Sequence, residues 1–393
     1  MTEADTFRTQ VREWLESHCP ESMRSPITSE EQVCWGGRNS EFYSDDQETW
    51  LRNMANKGWT APTWPTEYGG GGLNGREAQI LQQELKRITA RPALYSFGIS
   101  MIGPALLKYG SEEQKQQHLP PIIRGEIRWA QGYSEPNAGS DLASLQARLV
   151  DHGDHYRLTG SKVWTSYGDK GDWMFCLVRS DSEAPKHGGI SLVLFDMDAP
   201  GLTTRPIRLI SGKSPFTETI FDEVRVEKDQ VVGELNTGWT VAKYLLTHER
   251  EMIGEGGLGQ SGAEPLSSIA RRLIGMDGAR LADPVIRNDI ARLEIDEAGL
   301  ALTVRRARDE VSAGVSLGAT ASMFKYTGTE LNKRRQELMM SIHGLDALDW
   351  SGERSSEGAV PRTWLRSRGN SIEGGTSEIQ LNIVAKRILG LPG

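Results

Sequence analysis

The run HYRLTGSKVWTSYGDKGDWMFCLV, residues 155–178, decides the fold. Its apolar residues fall into two short β-type stretches, HYRLTGSKVW and DWMFCLV, joined by a link rich in Gly and Asp. Stretches of the same kind flank it: LQARLV (145–150) before, ISLVLFDM (190–197) and ETIFDEVRV (218–226) after. Turns such as DHGD and DAPG separate these runs, so residues 126–235 are expected to form a small β-sandwich or barrel.

Outward from this centre the apolar period changes from two to about 3.6. Residues 1–125 carry helical patterns in DQETWLRNMANKG and REAQILQQELKRI, punctuated by Gly and Pro clusters. Helical period returns over 236–393, in WTVAKYLLTHEREMI, DPVIRNDIARLEIDEAGLALTVRRARDEV, KYTGTELNKRRQELMMSI and TSEIQLNIVAKRIL, and reads as a helical bundle. The chain is therefore an α+β multi-domain protein in the order helical, β, helical. A doubly wound nucleotide fold would alternate strand and helix throughout, and no GxGxxG follows a strand. GGGGLNG at 69–75 lacks the Lys-Ser or Lys-Thr of a phosphate loop.

With 393 residues the chain can build two or three domains around a shared site. A net charge of -8 argues against general nucleic-acid binding, which needs clustered Lys and Arg to neutralise phosphates. No apolar run is long enough to cross a bilayer, and the mean hydropathy is -0.46. Cys19, Cys34 and Cys176 are scattered, without a CxxC pair, which points to neither a disulfide framework nor a metal site. The first twenty residues read as an amphipathic helix with acids among its apolar positions, unlike a signal or transit peptide. A cytoplasmic setting is expected.

Two segments are suited to hold a ligand. WAQGYSEPNAGSDLASLQ, Trp129–Gln146, is rich in small and hydroxyl residues where the helical part hands over to the β part. Its backbone N–H groups, Ser134 and Ser140 can meet carbonyl or phosphate oxygens, and Gly139 permits close approach. GSKVWTSYGDKGDW, 160–173, adds an indole and two hydroxyls at the end of a strand. On composition alone the first reads rather as an ordinary domain-crossing loop, and Trp164 alone rather as a core residue.

GWTAPTWPTEYGGGG (58–72), YGSEEQKQQHLPPIIRGE (109–126), GYSEPNAGSDLASL, KVWTS, FDEVRVEKDQVVGELNTGW and GGTSEIQLNIVAKRILGLP occur together in the order and spacing of the acyl-CoA dehydrogenase family, which the chain resembles from end to end. The resemblance implies an N-terminal helical domain, a central β domain and a C-terminal four-helix bundle, with FAD between the last two. It implies FAD-dependent introduction of an α,β double bond into an acyl-CoA thioester, with electrons passed to an electron-transfer flavoprotein. An acyl-CoA oxidase, a DNA-associated flavoprotein of this fold and a catalytically silent subunit are the other readings.

By position, the resemblance puts Gln131, Tyr133 and Ser134 along the flavin ring and Trp164 and Ser166 against its other side. Ser140 matches a position touching ribityl or CoA groups. Thr376 and Glu378 match the start of the last helix, at the flavin's polar edge, and the Gly374 N–H matches a donor to the thioester carbonyl. Many members place the catalytic base immediately before a Gly-Thr at that helix. Here Gly374 stands at that position and Glu373 one residue earlier. Other members use a Glu followed by Arg on the first bundle helix. THER at 247–250 matches these, favouring Glu249, with Arg250 beside it at the substrate; a structural ion pair is the alternative for either Glu.

The usual Arg-x-x-Phe-Gly segment is absent. In its place stands GEGGLGQSGAEPLSSIARRLIG, where Arg271 or Arg272 could meet the FAD pyrophosphate. Members acting on steroid side chains show a similar replacement, and some of those are heteromeric. A homo-oligomer or a heterotetramer is therefore expected. Small residues at Ser96, Gly98 and Ser100, and at Gly254, Gly256 and Gly257, point to room for a long, branched or polycyclic tail.

Overall fold

A computed structural model describes residues 2–254, 264–314 and 317–392; the side chains of 247–254, 308 and 312 lie outside that description. The chain forms two compact units. The first contains residues 1–207 and 215–245, the second 208–214 and 246–393.

The first unit opens with helices α1 (Glu3–His18), α2 (Asp45–Asn56), α3 (Gly75–Arg87), α4 (Gly103–Tyr109) and α5 (Glu112–Arg124). Their starts are written locally. Thr2 with Asp5, Asn74 with Glu77 and Ser111 with Gln114 form reciprocal capping boxes that satisfy the first free N–H groups. Val11, Leu15, Trp50, Met54, Trp59 and Leu81 make the apolar core of this part. Glu84 on α3 is buried and takes hydrogen bonds from Arg8, Arg12 and Arg87, which ties α1 to α3. Burial pushes its carboxyl up, but those three guanidiniums win and hold it down to about 2.

Seven strands follow: β1 (Trp129–Gly132), β2 (Arg148–Asp151), β3 (His155–Ser166), β4 (Trp173–Arg179), β5 (Ile190–Asp196), β6 (Leu202–Ile207) and β7 (Phe216–Glu227). They form one mixed sheet in the order β1-β4-β2-β3-β7-β6, with β5 also on β4. This is the half-barrel form of the expected β domain. Its core runs through Leu158, Met174, Cys176, Val193, Phe195, Phe221 and Val224.

Helix α5 docks on the sheet through polar side chains. Gln114 Nε2 donates to the Asp229 and Val231 carbonyls at 2.6 and 2.9 Å. His118, fully buried, pairs through Nε2 with Gln230 Oε1 at 2.9 Å and packs edge-on against Trp129 and Trp173.

The long helix α6 (Gly238–Gly254) crosses from the first unit into the second. There α7 (Leu266–Leu273), a short β8–β9 hairpin (Met276–Asp277, Arg280–Leu281), α8 (Pro284–Ser312), α9 (Thr320–His343), α10 (Ala359–Ser367) and α11 (Ser377–Ile383) complete the bundle. Leu266, Ile269, Ala270, Leu293, Leu331 and Ile342 are its core. Among the described residues no helix is long and apolar enough to cross a membrane.

Candidate functional site

In the first unit the two expected ligand segments are laced together. Strand β1 runs parallel to β4, pairing Gln131 with Phe175 and Gly132 with Cys176. Gly132 keeps this pairing close, since a Cβ there would lie 2.5 Å from Met174 Sδ and require that side chain to shift. Beyond β1 the chain turns at Glu135, and the Val163 N–H of β3 donates to the Ser134 carbonyl at 2.8 Å. Lys162, also on β3, is fully buried. Its Nζ donates to the Tyr133 carbonyl at 3.0 Å and to Glu135 Oε1 at 2.8 Å. Glu135 in turn accepts from the Gln146 and Ala147 N–H groups at 2.6 and 2.9 Å. Gln131, Tyr133, Ser134, Trp164 and Ser166 are thereby held in one neighbourhood, while Ser140 stands exposed at the outer end of the loop.

Trp164 is the conformational outlier of this neighbourhood. The β3–β7 register shifts between Lys162 and Thr165, and Trp164 sits in that bulge with φ +63° and 53% exposed. Left-handed backbone on a bulky residue costs of order 1–3 kcal/mol and persists where the surroundings enforce it. Its neighbour Thr165 is turned inward, accepting from Thr219 Oγ1 at 3.2 Å. The bulge thus presents an open indole at the strand's surface. Tyr133, by contrast, is buried, with its ring edge-on to Phe175.

In the second unit Gly374 and Gly375 take φ +64° and +88°, and Thr376 Oγ1 accepts from the Ile379 N–H at 3.2 Å to cap α11. Gln380 Nε2 donates to the Gly374 carbonyl at 2.8 Å. Ser377 Oγ and Gln380 Oε1 are buried with no hydrogen-bond partner among the described residues, an arrangement that leaves acceptor and donor capacity for a polar ligand. The Glu378 carboxyl is held below the usual range, first by its own backbone N–H, then by the Thr376 hydroxyl.

Glu373 is occupied. Arg366 Nη2 donates to it at 2.6 Å and Asn370 Nδ2 also donates to it. The buried Lys325 fastens the same turn, donating to the Asn370 carbonyl at 2.9 Å. Glu249 and Arg250 lie on α6, which ends at Gly254, and their side chains are outside the description, as are Gly256 and Gly257 altogether. The two arginines that could meet a pyrophosphate differ. Arg272 is spent on Glu264, at 2.7 and 3.0 Å. Arg271 has no ion-pair or hydrogen-bond partner for its side chain among the described residues and lines a small pocket with Arg280 and Arg287.

Of the small residues expected to leave room, Ser96 and Gly98 are buried and Ser100 is partly buried; a Cβ on Gly98 would meet Ile122 of α5 and the Ser96 hydroxyl at 2.9 Å. What stays partly open beside them is aromatic: Tyr95 and Phe97. Sequence reasoning also missed Lys162, Glu135 and Arg128. Only Lys162 carries a signal, since it shares strand parity with the buried Tyr156 and Leu158.

Residues 1–126, 130–224 and 236–389 match, in turn, the sequence patterns of the acyl-CoA dehydrogenase N-terminal, middle and C-terminal domains. The chain is 32% identical over 407 residues to acyl-CoA dehydrogenase IpdE1 of Mycolicibacterium smegmatis, spanning all of this chain and 99% of that one. Among solved structures, the Tcur3481-Tcur3483 steroid ACAD superposes with a TM-score of 0.76 at 30% identity, covering 99% of this chain and 97% of that one. The ChsE4-ChsE5 complex from Mycobacterium tuberculosis superposes with a TM-score of 0.72 at 26% identity, over 100% and 98% of the two chains.

Proposed function

The chain belongs to the acyl-CoA dehydrogenase family and is an oxidoreductase acting on acyl-CoA, and we propose that it binds FAD and converts an acyl-CoA with a bulky, ring-bearing tail to the 2-enoyl-CoA. The observation that carries this reading is Trp164: a strained, half-exposed indole at a strand bulge, two residues from the lysine that anchors the Tyr133 loop. A structural tryptophan would gain burial; this one spends backbone energy to keep a flat face open. The steroid named for one solved neighbour agrees with a ring-bearing tail.

Bound FAD supplies the acceptor for the hydride leaving the β carbon. Everything else falls to the chain. Gln131, Tyr133, Ser134, Trp164 and Ser166 hold and orient the ring system, Ser140 meets ribityl or CoA groups, and Thr376 and Glu378 serve the polar edge. Arg271, the arginine not already spent on a carboxylate, meets the pyrophosphate. The Gly374 N–H points a donor at the thioester oxygen, where charge develops as the α proton leaves. Glu249 takes that proton, with Arg250 beside it, because Glu373 is held by Arg366 and Asn370.

The electrons then pass to an electron-transfer flavoprotein, and the enzyme works as an oligomer. The second unit leaves Leu345, Leu348, Ile295 and Leu302 each more than 60% exposed, more apolar surface than a lone bundle favours. Two of the solved neighbours carry paired names, which supports a complex of unlike subunits as well as of like ones. The deciding experiment is anaerobic titration of the purified yellow protein with a panel of acyl-CoA thioesters. Flavin bleaching with a ring-tailed thioester supports the reading, and no bleaching with any thioester sinks it. Rapid reoxidation in air would make the enzyme an oxidase.

A further inference from the structure

One guanidinium in the first unit has no acceptor among the described residues. Arg128, just before β1, lies with its Cζ 4.4 Å from the centre of the Trp35 ring and 5.0 Å from that of Tyr167. Its backbone N–H is used, donating to Asp172 at 2.7 Å, but among the described residues its side chain has neither a hydrogen bond nor an ion pair. Around it stands a cluster of rings. Trp35 meets Tyr95 at 4.6 Å, Tyr167 at 4.8 Å and Phe97 at 6.2 Å, all at steep angles. All five side chains are only partly buried.

This cluster adjoins the proposed site along the chain. Tyr167 follows Ser166 directly, and Tyr95 and Phe97 alternate with Ser96 and Gly98, whose inward packing turns the aromatics to the open side. The electrostatics decide what such a wall would accept. Glu30, Asp169 and Asp172 already supply negative charge near Arg128, and Glu30 also accepts a 2.5 Å hydrogen bond from the Tyr167 hydroxyl. A carboxylate on the ligand would face those three acids. A neutral oxygen would not, and would still satisfy guanidinium donors that lack an acceptor. Partly open aromatic faces beside a guanidinium suit a flat, rigid apolar body.

Resting on the dehydrogenase reading above, we propose that Arg128 with Trp35, Tyr95, Phe97 and Tyr167 is a specificity element, and that the preferred tail is a ring system carrying an uncharged ketone or hydroxyl oxygen that accepts from Arg128. The test uses matched ring-tailed acyl-CoA thioesters: one with a distal ring ketone, one without it, and one with a carboxylate there. Dissociation constants are measured by calorimetry and reduction by anaerobic stopped flow, on the FAD-loaded protein and on Arg128→Met and Arg128→Lys.

The wild type should bind the ketone at least tenfold tighter than either other thioester. Arg128→Met should bring the ketone's advantage over the plain ring close to one, and Arg128→Lys should keep part of it. Equal binding of ketone and plain ring by the wild type overturns the proposal, as does tighter binding of the carboxylate. A discrimination that survives Arg128→Met overturns it too. Should Arg128→Met fail to fold, the wild-type ratio and the partial ratio in Arg128→Lys decide. Failure of all thioesters to bleach the flavin, plain alkyl ones included, would strike the dehydrogenase reading instead.

Discussion

Lys162 and Glu135 form a buried ion pair, Nζ to Oε1 at 2.8 Å, with their side chains 0% and 9% exposed. Such a pair is not in itself a source of stability, since desolvation offsets the attraction. Its effect is positional: Lys162 also holds the Tyr133 carbonyl, and Glu135 also gathers the Gln146 and Ala147 N–H groups. Three segments meet on two side chains.

Lys162→Met should therefore cost about 3–5 kcal/mol in urea unfolding of the flavin-free protein, because Glu135 is left charged and buried. Lys162→Met combined with Glu135→Leu should recover a large part of that loss, yet retain less flavin than wild type by absorbance after gel filtration. Recovery of both properties would reduce the pair to packing.

Much of the fold is legible because it is local. Capping boxes at Thr2, Asn74 and Ser111 and alternating runs such as ISLVLFDM need no distant partner to be read. The site is less so. Lys162 finds Glu135 twenty-seven residues away, and nothing near either one announces the other. Ser96 and Gly98 read as space, but Ile122 of α5 fills it. The bulge at Trp164 depends on a register shift against β7, more than fifty residues on. Pattern reveals which elements form; what a small or charged residue faces depends on which elements meet.

Trp164→Ala should separate strain from binding. The indole is 53% exposed, so its removal takes little from the core, and the stability of the flavin-free protein should stay within about 1 kcal/mol of wild type. Flavin retention should fall at least tenfold by equilibrium dialysis, through loss of stacking area. A large drop in stability with unchanged flavin affinity would make Trp164 a packing residue.

His118 should make the helix-to-sheet junction acid-sensitive. Burial lowers its pKa, against the opposing pull of the Gln230 hydrogen bond and the Asp229 charge. The unfolded chain takes up a proton near pH 6.5 while the folded one resists it. Its contribution is thus fully present above about pH 6.5 and is lost as the pH falls towards the lower folded value. Urea unfolding at about pH 7.5 and 5.5 should show a larger loss in wild type than in His118→Gln, with a slope of at most about 1.4 kcal/mol per pH unit from this residue.

Arg271 and Arg272 should differ in flavin affinity despite being neighbours. Arg272 holds Glu264 in a two-pronged, exposed pair, whereas Arg271 faces a small pocket with its donors unspent on any described residue. Arg271→Ala should weaken FAD binding by about tenfold or more, with FMN binding hardly affected, since only FAD carries the pyrophosphate and adenosine. Arg272→Ala should change neither beyond about twofold.

The base assignment tests the proposed reaction most directly. A proton acceptor must reach the α carbon, so placement outranks the mere presence of a carboxylate. Glu373 stands one residue from the position that many family members use, and its oxygens are held by Arg366 and Asn370. Glu249 is favoured because its Glu-Arg pair matches the alternative placement on α6. Glu249→Gln keeps the volume and removes the basic oxygen. It should still bind FAD and acyl-CoA while flavin reduction slows by orders of magnitude. Glu373→Gln should leave reduction within about tenfold, or ~1.4 kcal/mol in barrier, while loosening the turn that Asn370 and Lys325 fasten. Single-turnover anaerobic reduction is the right measurement, because product release and the electron acceptor can mask chemistry in steady-state rates. Near-normal reduction in Glu249→Gln with collapse in Glu373→Gln would reverse the assignment, and would mean that the two left-handed glycines re-aim Glu373 at the substrate once Arg366 lets go.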